Sequence, residues 1–297
     1  MIQGVQGNPT VYLNGDWLPL SEAKISVLDR GFIFGDGIYE VVPVYSKRTF
    51  RLESHLARLQ RSLAAIQIHC SMQLQDWSAI FAELIQRNKG EDQFLYLQVT
   101  RGVAKRDHAF PDPAVAPTIF AMSSPFHPPS QELRETGISV VSQPDERWLH
   151  CDIKSTALLG NVLARQAAID RGAVESVLFR DGFLTEGAAS NIWVVKDGIL
   201  HAPIKNHLIL EGIRYGLMQE IAESLHIPVQ IRRIRQQEIP QADELLLTSA
   251  TKEVLPIVRM DQRPVGPEGH AGKPGPIYQK IRQAYDRLIQ KLRSANQ

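Results

Sequence analysis

One lysine stands where carbonyl chemistry is possible. Lys154 lies in the segment HCDIKSTALLGNVLA, at the start of an apolar run that predicts a buried helix. A lysine at such a position ordinarily packs its stem and keeps its ammonium group in water. If it is instead partly buried, its pKa falls and the neutral amine can attack a carbonyl to form a Schiff base. The segment alone leaves both interpretations open.

A carboxylate follows in a segment without bulky side chains. Glu186 in FLTEGAASNIW precedes Gly187, Ala188, Ala189 and Ser190. Small neighbours would let a flat ring approach the carboxylate. If the ring is a pyridine, the carboxylate keeps its nitrogen protonated, and the ring then withdraws electrons from a bound carbanion. The alternative is a turn residue that caps the next element.

Two segments and one arginine could hold a phosphate. Gly212 and Ile213 open a predicted helix, and Ser249 to Thr251 follow the predicted strand ELLL. Backbone N–H groups at helix N-termini bind phosphate well, although neither segment is a phosphate motif by itself. Arg58 flanks the apolar stripe of the first long helix, whereas Arg61 lies opposite it. Helical spacing therefore favours Arg58 as the inward-pointing cation.

A further pair could bind a carboxylate. Arg106 and His108 are two residues apart, so in an extended segment they project to the same side and Asp107 turns away. An arginine fork matches a carboxylate through two hydrogen bonds. The alternative is a pair of ordinary surface residues in a polar loop.

The elements that must position these residues indicate an α+β protein. Asn14-Gly15 between apolar residues predicts a hairpin, and strands alternate with amphipathic helices in both halves. A proline-rich polar stretch suggests a small N-terminal domain over 1–122, a linker over 123–137 and a larger C-terminal domain over 138–297. After Lys154, the apolar stripe of the next helix comprises Leu159, Val162, Leu163 and Ala167.

Composition narrows the function classes. The 297 residues carry a net charge of +1, with 33 basic and 32 acidic side chains, which does not favour binding to nucleic acid or membranes through bulk charge. Two cysteines make no disulfide framework, and neither a signal peptide nor an apolar run of about 20 residues is visible. We therefore expect a cytoplasmic protein. Gly35-Asp36-Gly37 is no dinucleotide fingerprint, which disfavours a nicotinamide enzyme.

Three separated blocks, in order, resemble the fold-type IV pyridoxal-phosphate enzymes. They are RGFIFGDGIYEVVPVY, ERWLHCDIKSTALLGNVLA and FLTEGAASNIW. The resemblance runs from about Val11 to the C-terminal helix. Within the group, CDIKS, YLQVTRG and RDHAF are most similar to the D-amino-acid aminotransferase branch. The implied fold has two domains, each with a mostly antiparallel sheet and flanking helices.

The resemblance also implies roles for individual residues. Lys154 forms the Schiff base with pyridoxal 5'-phosphate and shuttles the proton, and Glu186 pairs with the pyridine nitrogen. Leu210 packs behind the ring. Phosphate is bound by Arg58 and by backbone amides of Ile213, Arg214, Ala250 and Thr251. The substrate carboxylate is held by Tyr39, Arg106 and His108. No metal is implied.

The implied reaction is a ping-pong transamination of D-amino acids with 2-oxo acids, in a homodimer. Alternatives on the same scaffold are L-branched-chain transamination and aminodeoxychorismate lysis, and an alternative of another class is a non-catalytic cofactor-binding module. Relatives commonly have threonine where this chain has Arg214, and often a hydroxyl where it has Ala250. These departures bear on how tightly phosphate is held. Whether Arg106 and His108 serve their own or a partner's site stays open.

Overall fold

The computed structural model describes residue 5 and residues 7–294. The chain forms two compact units. The first contains the described residues up to His127 together with Ile153–Leu158. The second contains Pro128–Asp152 and the described residues from Leu159 onward. The prediction that the chain has no signal peptide concerns its N-terminus, where residues 1–4 and 6 lie outside the described range.

The first unit is built on a six-stranded antiparallel sheet with strand order β2-β1-β6-β5-β3-β4. Its strands are β1 (Thr10–Leu13), β2 (Asp16–Pro19), β3 (Gly37–Tyr45), β4 (Arg48–Thr49), β5 (Gln93–Thr100) and β6 (Thr118–Pro125). Its helices are α1 (Arg30–Phe34), α2 (Leu52–Ala65) and α3 (Leu74–Arg87). Apolar side chains of β3, β5, α2 and α3 form one buried core, which includes Leu56, Phe81 and Leu97.

The predicted hairpin is confirmed. Asn14 and Gly15 connect β1 to β2, with φ angles of 52° and 105°. Such positive φ angles are adopted most readily by Asn and Gly, and they match the twist of the flanking strands. Leu13 therefore pairs directly with Asp16 across the turn.

The second unit is built on a nine-stranded sheet with order β12-β11-β10-β13-β14-β7-β8-β9, and β15 pairs with β14. Its strands are β7 (Ile138–Pro144), β8 (Glu175–Arg180), β9 (Phe183–Gly187), β10 (Asn191–Lys196), β11 (Ile199–Ala202), β12 (Val229–Ile231), β13 (Glu244–Ser249), β14 (Glu253–Met260) and β15 (Arg263–Pro264). Its helices are α4 (Gln131–Thr136), α5 (Leu159–Ile169), α6 (Ile213–Ser224) and α7 (Pro276–Ser294). Five strand pairs are antiparallel and three are parallel. The predicted α+β class, with two mostly antiparallel sheets, is confirmed.

The units differ from the predicted domains in two places. Residues 123–137, expected to be a linker, contain the end of β6 and helix α4. Residues 153–158, expected in the C-terminal domain, group with the first unit. The reason is local pairing: Tyr39 N–H donates to the Lys154 carbonyl at 3.0 Å, and Ser155 forms an antiparallel bridge with Ile38.

Helix α5 corrects one expectation. The helix forms where predicted, but its apolar stripe is not buried. Leu159, Val162 and Leu163 are 72%, 58% and 62% exposed. Periodicity shows that one face is apolar, whereas what covers that face depends on the rest of the assembly. The described chain leaves it uncovered.

Candidate active site

The predicted site residues fall into two sets, one in each unit. Tyr39, Arg58, Arg106, His108 and Lys154 belong to the first unit. The second unit contains Glu186, Leu210, Ile213, Arg214, Ala250 and Thr251.

Lys154 is half-buried in the segment that pairs with β3. Its backbone N–H donates to Ser62 Oγ on α2 at 3.3 Å, and its carbonyl accepts from Tyr39. Its Nζ lies 4.0 Å from the centre of the Tyr39 ring. A tyrosine face stabilises a nearby cation and also limits the water that reaches it. The lysine is thus held at both its backbone and its tip, and Tyr39 is the shared partner.

Arg58 is buried in a charged cluster on the inner face of α2. Its Nε and Nη2 donate to the two oxygens of Glu40 on β3, each at 2.8 Å. His55 Nδ1 lies 2.8 Å from Glu40 Oε2. Burial would raise the pKa of Glu40, but the charge and hydrogen bonds of Arg58 and the hydrogen bond of His55 outweigh it and lower the pKa to about 2. Arg61 is exposed, so the orientation predicted from helical spacing is confirmed.

Arg106 and His108 lie on the exposed loop that follows β5. They project to the same side, since both contact the ring of Phe34 at the end of α1. The His108 and Phe34 ring centres are 5.3 Å apart, and the Arg106 guanidinium lies 5.5 Å from the Phe34 centre. Asp107 turns back to its own loop, where it accepts a hydrogen bond from the N–H of Ala109.

Glu186 is a buried carboxylate of the second unit. It lies on β9. Arg147 Nη1 donates to its Oε1 at 2.5 Å, while Leu210 N–H and Asn191 Nδ2 donate to Oε2 at 3.1 and 3.2 Å. Burial raises the pKa of Glu186 to about 7, even though the Arg147 charge acts to lower it. The group therefore sits close to its own titration at neutral pH.

Arg147 is held by a second carboxylate. Its Nε and Nη2 donate to Asp145 at 2.9 and 2.8 Å, and Asp145 also accepts from Thr185 Oγ1 at 2.8 Å and from Arg180 at 3.1 Å. Although burial opposes it, the Arg147 and Thr185 contacts lower the pKa of Asp145. A planar guanidinium fixed on one edge by Asp145 presents its remaining N–H to Glu186 in a defined direction.

Helix α6 begins beside this carboxylate. Asn191 Nδ2 also donates to the Leu210 carbonyl at 2.8 Å, and a Cβ at Gly212 would overlap Asn191 Oδ1. Glycine is therefore required at the residue before the helix. Gly212, the N-cap residue of α6, has no side chain with which to cap the first turn. Its leading N–H groups, which include those of Ile213 and Arg214, have no acceptor within the helix itself.

The Arg214 side chain is directed to helix α7. Its Nη2 and Nε donate to the Tyr285 hydroxyl at 2.8 and 3.2 Å, and the guanidinium is buried. The Arg214 side chain thus ties α6 to α7.

The second segment predicted to bind phosphate is a turn between β13 and β14. Ser249 Oγ accepts from the Lys252 N–H at 3.0 Å and lies 3.5 Å from Thr251 Oγ1. Lys252 Nζ forms an ion pair with the buried Glu175 at 3.1 Å, which fixes the turn to β8. In this turn Ala250 is half-buried and Thr251 is exposed.

Several functional candidates escaped sequence reasoning. Arg147 and Asn191 bind Glu186, and Asp145 binds Arg147. Asp145 and Arg147 lie near Lys154 in sequence, whereas Asn191 does not. Arg147 was present in the ERWLHCDIKS block without a predicted role, and Asn191 directly follows the small-residue run after Glu186. No spacing rule connects a loop arginine to a carboxylate on a later strand. A polar residue within a recognised block was the only available signal.

The chain is similar over nearly its whole length to two curated aminotransferases. The chain is 38% identical over 280 residues to the D-alanine aminotransferase of Staphylococcus aureus (strain COL), covering 94% of this chain and 98% of the relative. It is 36% identical over 279 residues to the D-alanine aminotransferase of Bacillus licheniformis, covering 94% and 96%.

A solved structure shows the same fold. The branched-chain aminotransferase from the thermophilic archaeon Thermoproteus uzoniensis, determined with norvaline, superimposes with a TM-score of 0.86 at 26% identity, covering 97% of this chain and 97% of that one. The sequence model of amino-transferase class IV matches residues 37–260, from the start of β3 to the end of β14. The chain therefore belongs to amino-transferase class IV.

Proposed function

We propose that the protein is a pyridoxal 5'-phosphate-dependent transaminase of D-amino acids, which converts D-alanine and 2-oxoglutarate to pyruvate and D-glutamate. The match to amino-transferase class IV supports this function, as does 36–38% identity to two curated D-alanine aminotransferases over 94% of the chain. The observation that carries the chemistry is Glu186, a buried carboxylate whose two oxygens are oriented by three donors.

The residues of the second unit fit this cofactor. A ring nitrogen needs a buried acceptor with fixed direction, which Glu186 supplies. A phosphate needs N–H groups, and the uncapped start of α6 supplies them next to a glycine that leaves no room for a side chain. Leu210 links the two, since its N–H binds Glu186 and its carbonyl binds Asn191 just before the helix.

When bound, the cofactor supplies an electron-withdrawing ring that stores the electron pair released at the substrate Cα. Glu186 keeps the ring nitrogen protonated, and the positive charge of that nitrogen in turn favours the ionised carboxylate. Arg58 and the backbone amides of Ile213, Arg214, Ala250 and Thr251 would hold the phosphate. Leu210 packs behind the ring.

Lys154 holds the cofactor and then moves the proton. Its Nζ would hold the cofactor and, once free, would take the proton from the substrate Cα. It later returns a proton on the same face. The Tyr39 ring, 4.0 Å from Nζ, confines the amine to one side during both transfers.

The substrate carboxylate determines which enantiomer reacts. Arg106 and His108 project together, and with Tyr39 they hold the carboxylate on one side. Only the enantiomer whose α-hydrogen then points at Lys154 loses its proton. Exchanging the carboxylate and side-chain positions would select L-amino acids instead.

A stereospecific half-reaction tests the proposal. We expect D-alanine to bleach the visible absorbance of the purified holoenzyme, while L-alanine and L-leucine leave it unchanged. Bleaching by L-leucine alone would favour branched-chain transamination, and formation of pyruvate from aminodeoxychorismate would favour the lyase. Lys154→Ala should retain cofactor through the phosphate contacts yet lose turnover. Turnover in that variant would overturn the role of Lys154.

We further propose a homodimer in the cytoplasm. The uncovered apolar stripe of α5, together with the exposed Trp148 and Leu149, offers a surface suited to a second copy. Cys70 and Cys151 are free thiols, which is compatible with a reducing compartment. No helix within residues 7–294 has the length and apolar character needed to cross a membrane. Light scattering of the wild type and of Leu163→Glu tests the dimer.

A further inference from the structure

Helix α1 is short, buried at its start and fixed at both ends. Asp29 caps it by accepting the Gly31 N–H at 2.8 Å, and the other Asp29 oxygen accepts from Thr118 Oγ1 on β6 at 2.6 Å. The helix ends at Gly35, whose φ of 66° lies in the left-handed region. The helix is therefore anchored to the ends of β3 and β6, and its side chains have defined positions.

Arg30, the first residue of α1, is a clamp on the loop that carries Arg106 and His108. Its Nη1 donates to the carbonyls of Asp107 and Ala109 at 2.6 and 3.2 Å, and its Nη2 donates to the carbonyl of His108 at 3.4 Å. Three consecutive carbonyls thus converge on one guanidinium. The side chain is 4% exposed although the loop residues it binds are exposed.

The guanidinium is itself held from behind. Arg30 Nε donates to Asp36 Oδ2 at 2.8 Å, and Arg101 donates to both oxygens of Asp36 at 2.8 and 3.0 Å. Arg101 is fixed in turn by the carbonyls of Ile66 and Gln67. Because a guanidinium is planar, an ion pair on one edge sets the direction of the N–H groups on the other.

Phe34 contacts the same loop from the same face of α1. Residues four apart on a helix are neighbours, so Phe34 lies one turn beyond Arg30. Its ring contacts the side chains of both Arg106 and His108, and the Arg30 guanidinium lies 4.9 Å from its centre. Arg30 thus fixes the backbone of the loop, while Phe34 contacts the two side chains that project from it.

We propose that Arg30 and Phe34 are positioning residues that hold Arg106 and His108 in register to bind the substrate carboxylate, an inference that rests on the proposed function. A slip of the loop by one residue would turn Asp107 toward the substrate carboxylate in place of Arg106 and His108. Three carbonyl bonds to a buried arginine prevent that slip. Arg30 and Phe34 would fix the loop in the same way whether Arg106 and His108 serve their own site or a partner's.

The test compares Arg30→Lys and Phe34→Leu with wild type. A lysine cannot bind Asp36 and three carbonyls together, and a leucine lacks the aromatic face. Each variant should raise the KM for D-alanine and for pyruvate alike by about 10- to 100-fold, because both carry the same carboxylate. The kcat, the visible spectrum and the Kd for pyridoxal 5'-phosphate should change little. Unchanged KM values in folded variants would overturn the inference.

Arg282→Lys is the matched control. Arg282 is also buried and pairs with two carboxylates, Glu253 and Asp286, but it belongs to the second unit. It should lose thermal stability while the KM values stay at wild type. An equal KM rise in this control would mean that any buried arginine has the same effect, and would overturn the assignment to Arg30. If Arg30→Lys fails to fold, Phe34→Leu decides alone.

A double-mutant cycle separates positioning from direct binding. If Arg30 acts only through the loop, Arg30→Lys should add little to the KM of an Arg106→Gln, His108→Gln background. Multiplicative effects would overturn the inference. Should the wild type accept L- but not D-amino acids, the proposed function fails, yet the cycle run with the accepted enantiomer still decides the role of Arg30.

Discussion

Two buried glutamates, one in each unit, have opposite charge behaviour. Both Glu40 and Glu186 are shielded from water and both contact an arginine. Arg58 gives two hydrogen bonds to Glu40 and His55 contributes a third contact, so its pKa falls to about 2 against the effect of burial. Burial dominates at Glu186 and raises its pKa to about 7, because Arg147 shares its charge with Asp145.

The difference teaches that contact with an arginine does not by itself fix the charge of a carboxylate. Both carboxylates accept three hydrogen bonds. What differs is how many of these bonds come from the arginine, two at Glu40 and one at Glu186, and whether a second carboxylate competes for that arginine. Glu40 is a permanent anion that orients Arg58. Glu186 is poised, and the positive ring nitrogen of a cofactor is the additional charge that would settle it as an anion.

Replacing each glutamate separates these roles, and Glu186→Gln should have the largest effect. An uncharged amide does not keep the ring nitrogen protonated, so kcat with D-alanine should fall by about 10²–10³-fold. Glu40→Gln should instead weaken cofactor affinity by loosening Arg58. Stopped-flow half-reactions at saturating pyridoxal 5'-phosphate measure the contrast. Equal losses of kcat in both variants would contradict it.

Arg58→Lys should come next. A lysine cannot give two hydrogen bonds to Glu40 and also bind a phosphate, so the Kd for pyridoxal 5'-phosphate should rise by about 10–100-fold. Titration of the apoenzyme by absorbance measures it. Arg61→Lys, an exposed change on the same helix, is the control and should leave the Kd unaltered. A rise of the Kd in both variants would show that any substitution on helix α2 weakens cofactor binding.

The pH dependence of stability should have opposite signs at the two sites. The folded pKa of Glu40 is below its ordinary 4.5, so its contribution is complete above 4.5 and falls by about 2 kcal/mol by pH 3. The folded pKa of Glu186 is raised, so in the cofactor-free chain stability should decrease as pH rises from 4.5 to 7. Urea unfolding of wild type, Glu40→Gln and Glu186→Gln between pH 3 and 8 measures both. A common sign would refute the contrast.

Arg147→Gln should have the smallest effect. Burial already raises the pKa of Glu186, and loss of the Arg147 charge should raise it further, with each pKa unit lowering the ionised fraction about tenfold. Activity at pH 7 should fall by about tenfold and recover at higher pH. Arg180→Gln, which loses a contact to Asp145 but none to Glu186, should leave the pH–rate profile in place. An unchanged acidic limb of the pH–rate profile in Arg147→Gln would contradict this prediction.

The sequence predicted what depends on local pattern or on the recognised blocks. Helical spacing predicted that Arg58 points inward, and Asn14-Gly15 predicted the hairpin between β1 and β2. The alternation of strands and helices predicted the α+β class. Roles assigned to Lys154 and Glu186 came from resemblance rather than from pattern, and they remain proposals.

What the sequence could not supply depends on tertiary contacts. Arg147 reaches a carboxylate 39 positions later, and Arg30 reaches carbonyls about 80 positions later, where no periodicity applies. The apolar stripe of α5 was expected to be buried because its apolar residues can be recognised in the sequence. Which residues would pack against that stripe cannot be recognised there. Arg214 could not be assigned a direction until the position of Tyr285 was known.

The return of residues 153–158 to the first unit constrains how this chain can be divided. The polypeptide leaves that unit at His127, comes back for six residues and departs again at Leu158. A fragment ending at 127 would contain strand β3 but not the Lys154 segment that pairs with it, and the complementary fragment would contain the segment without the strand. We expect neither piece, produced alone, to capture the cofactor covalently, so proteolytic nicking near 127 should be tolerated only while both pieces remain associated.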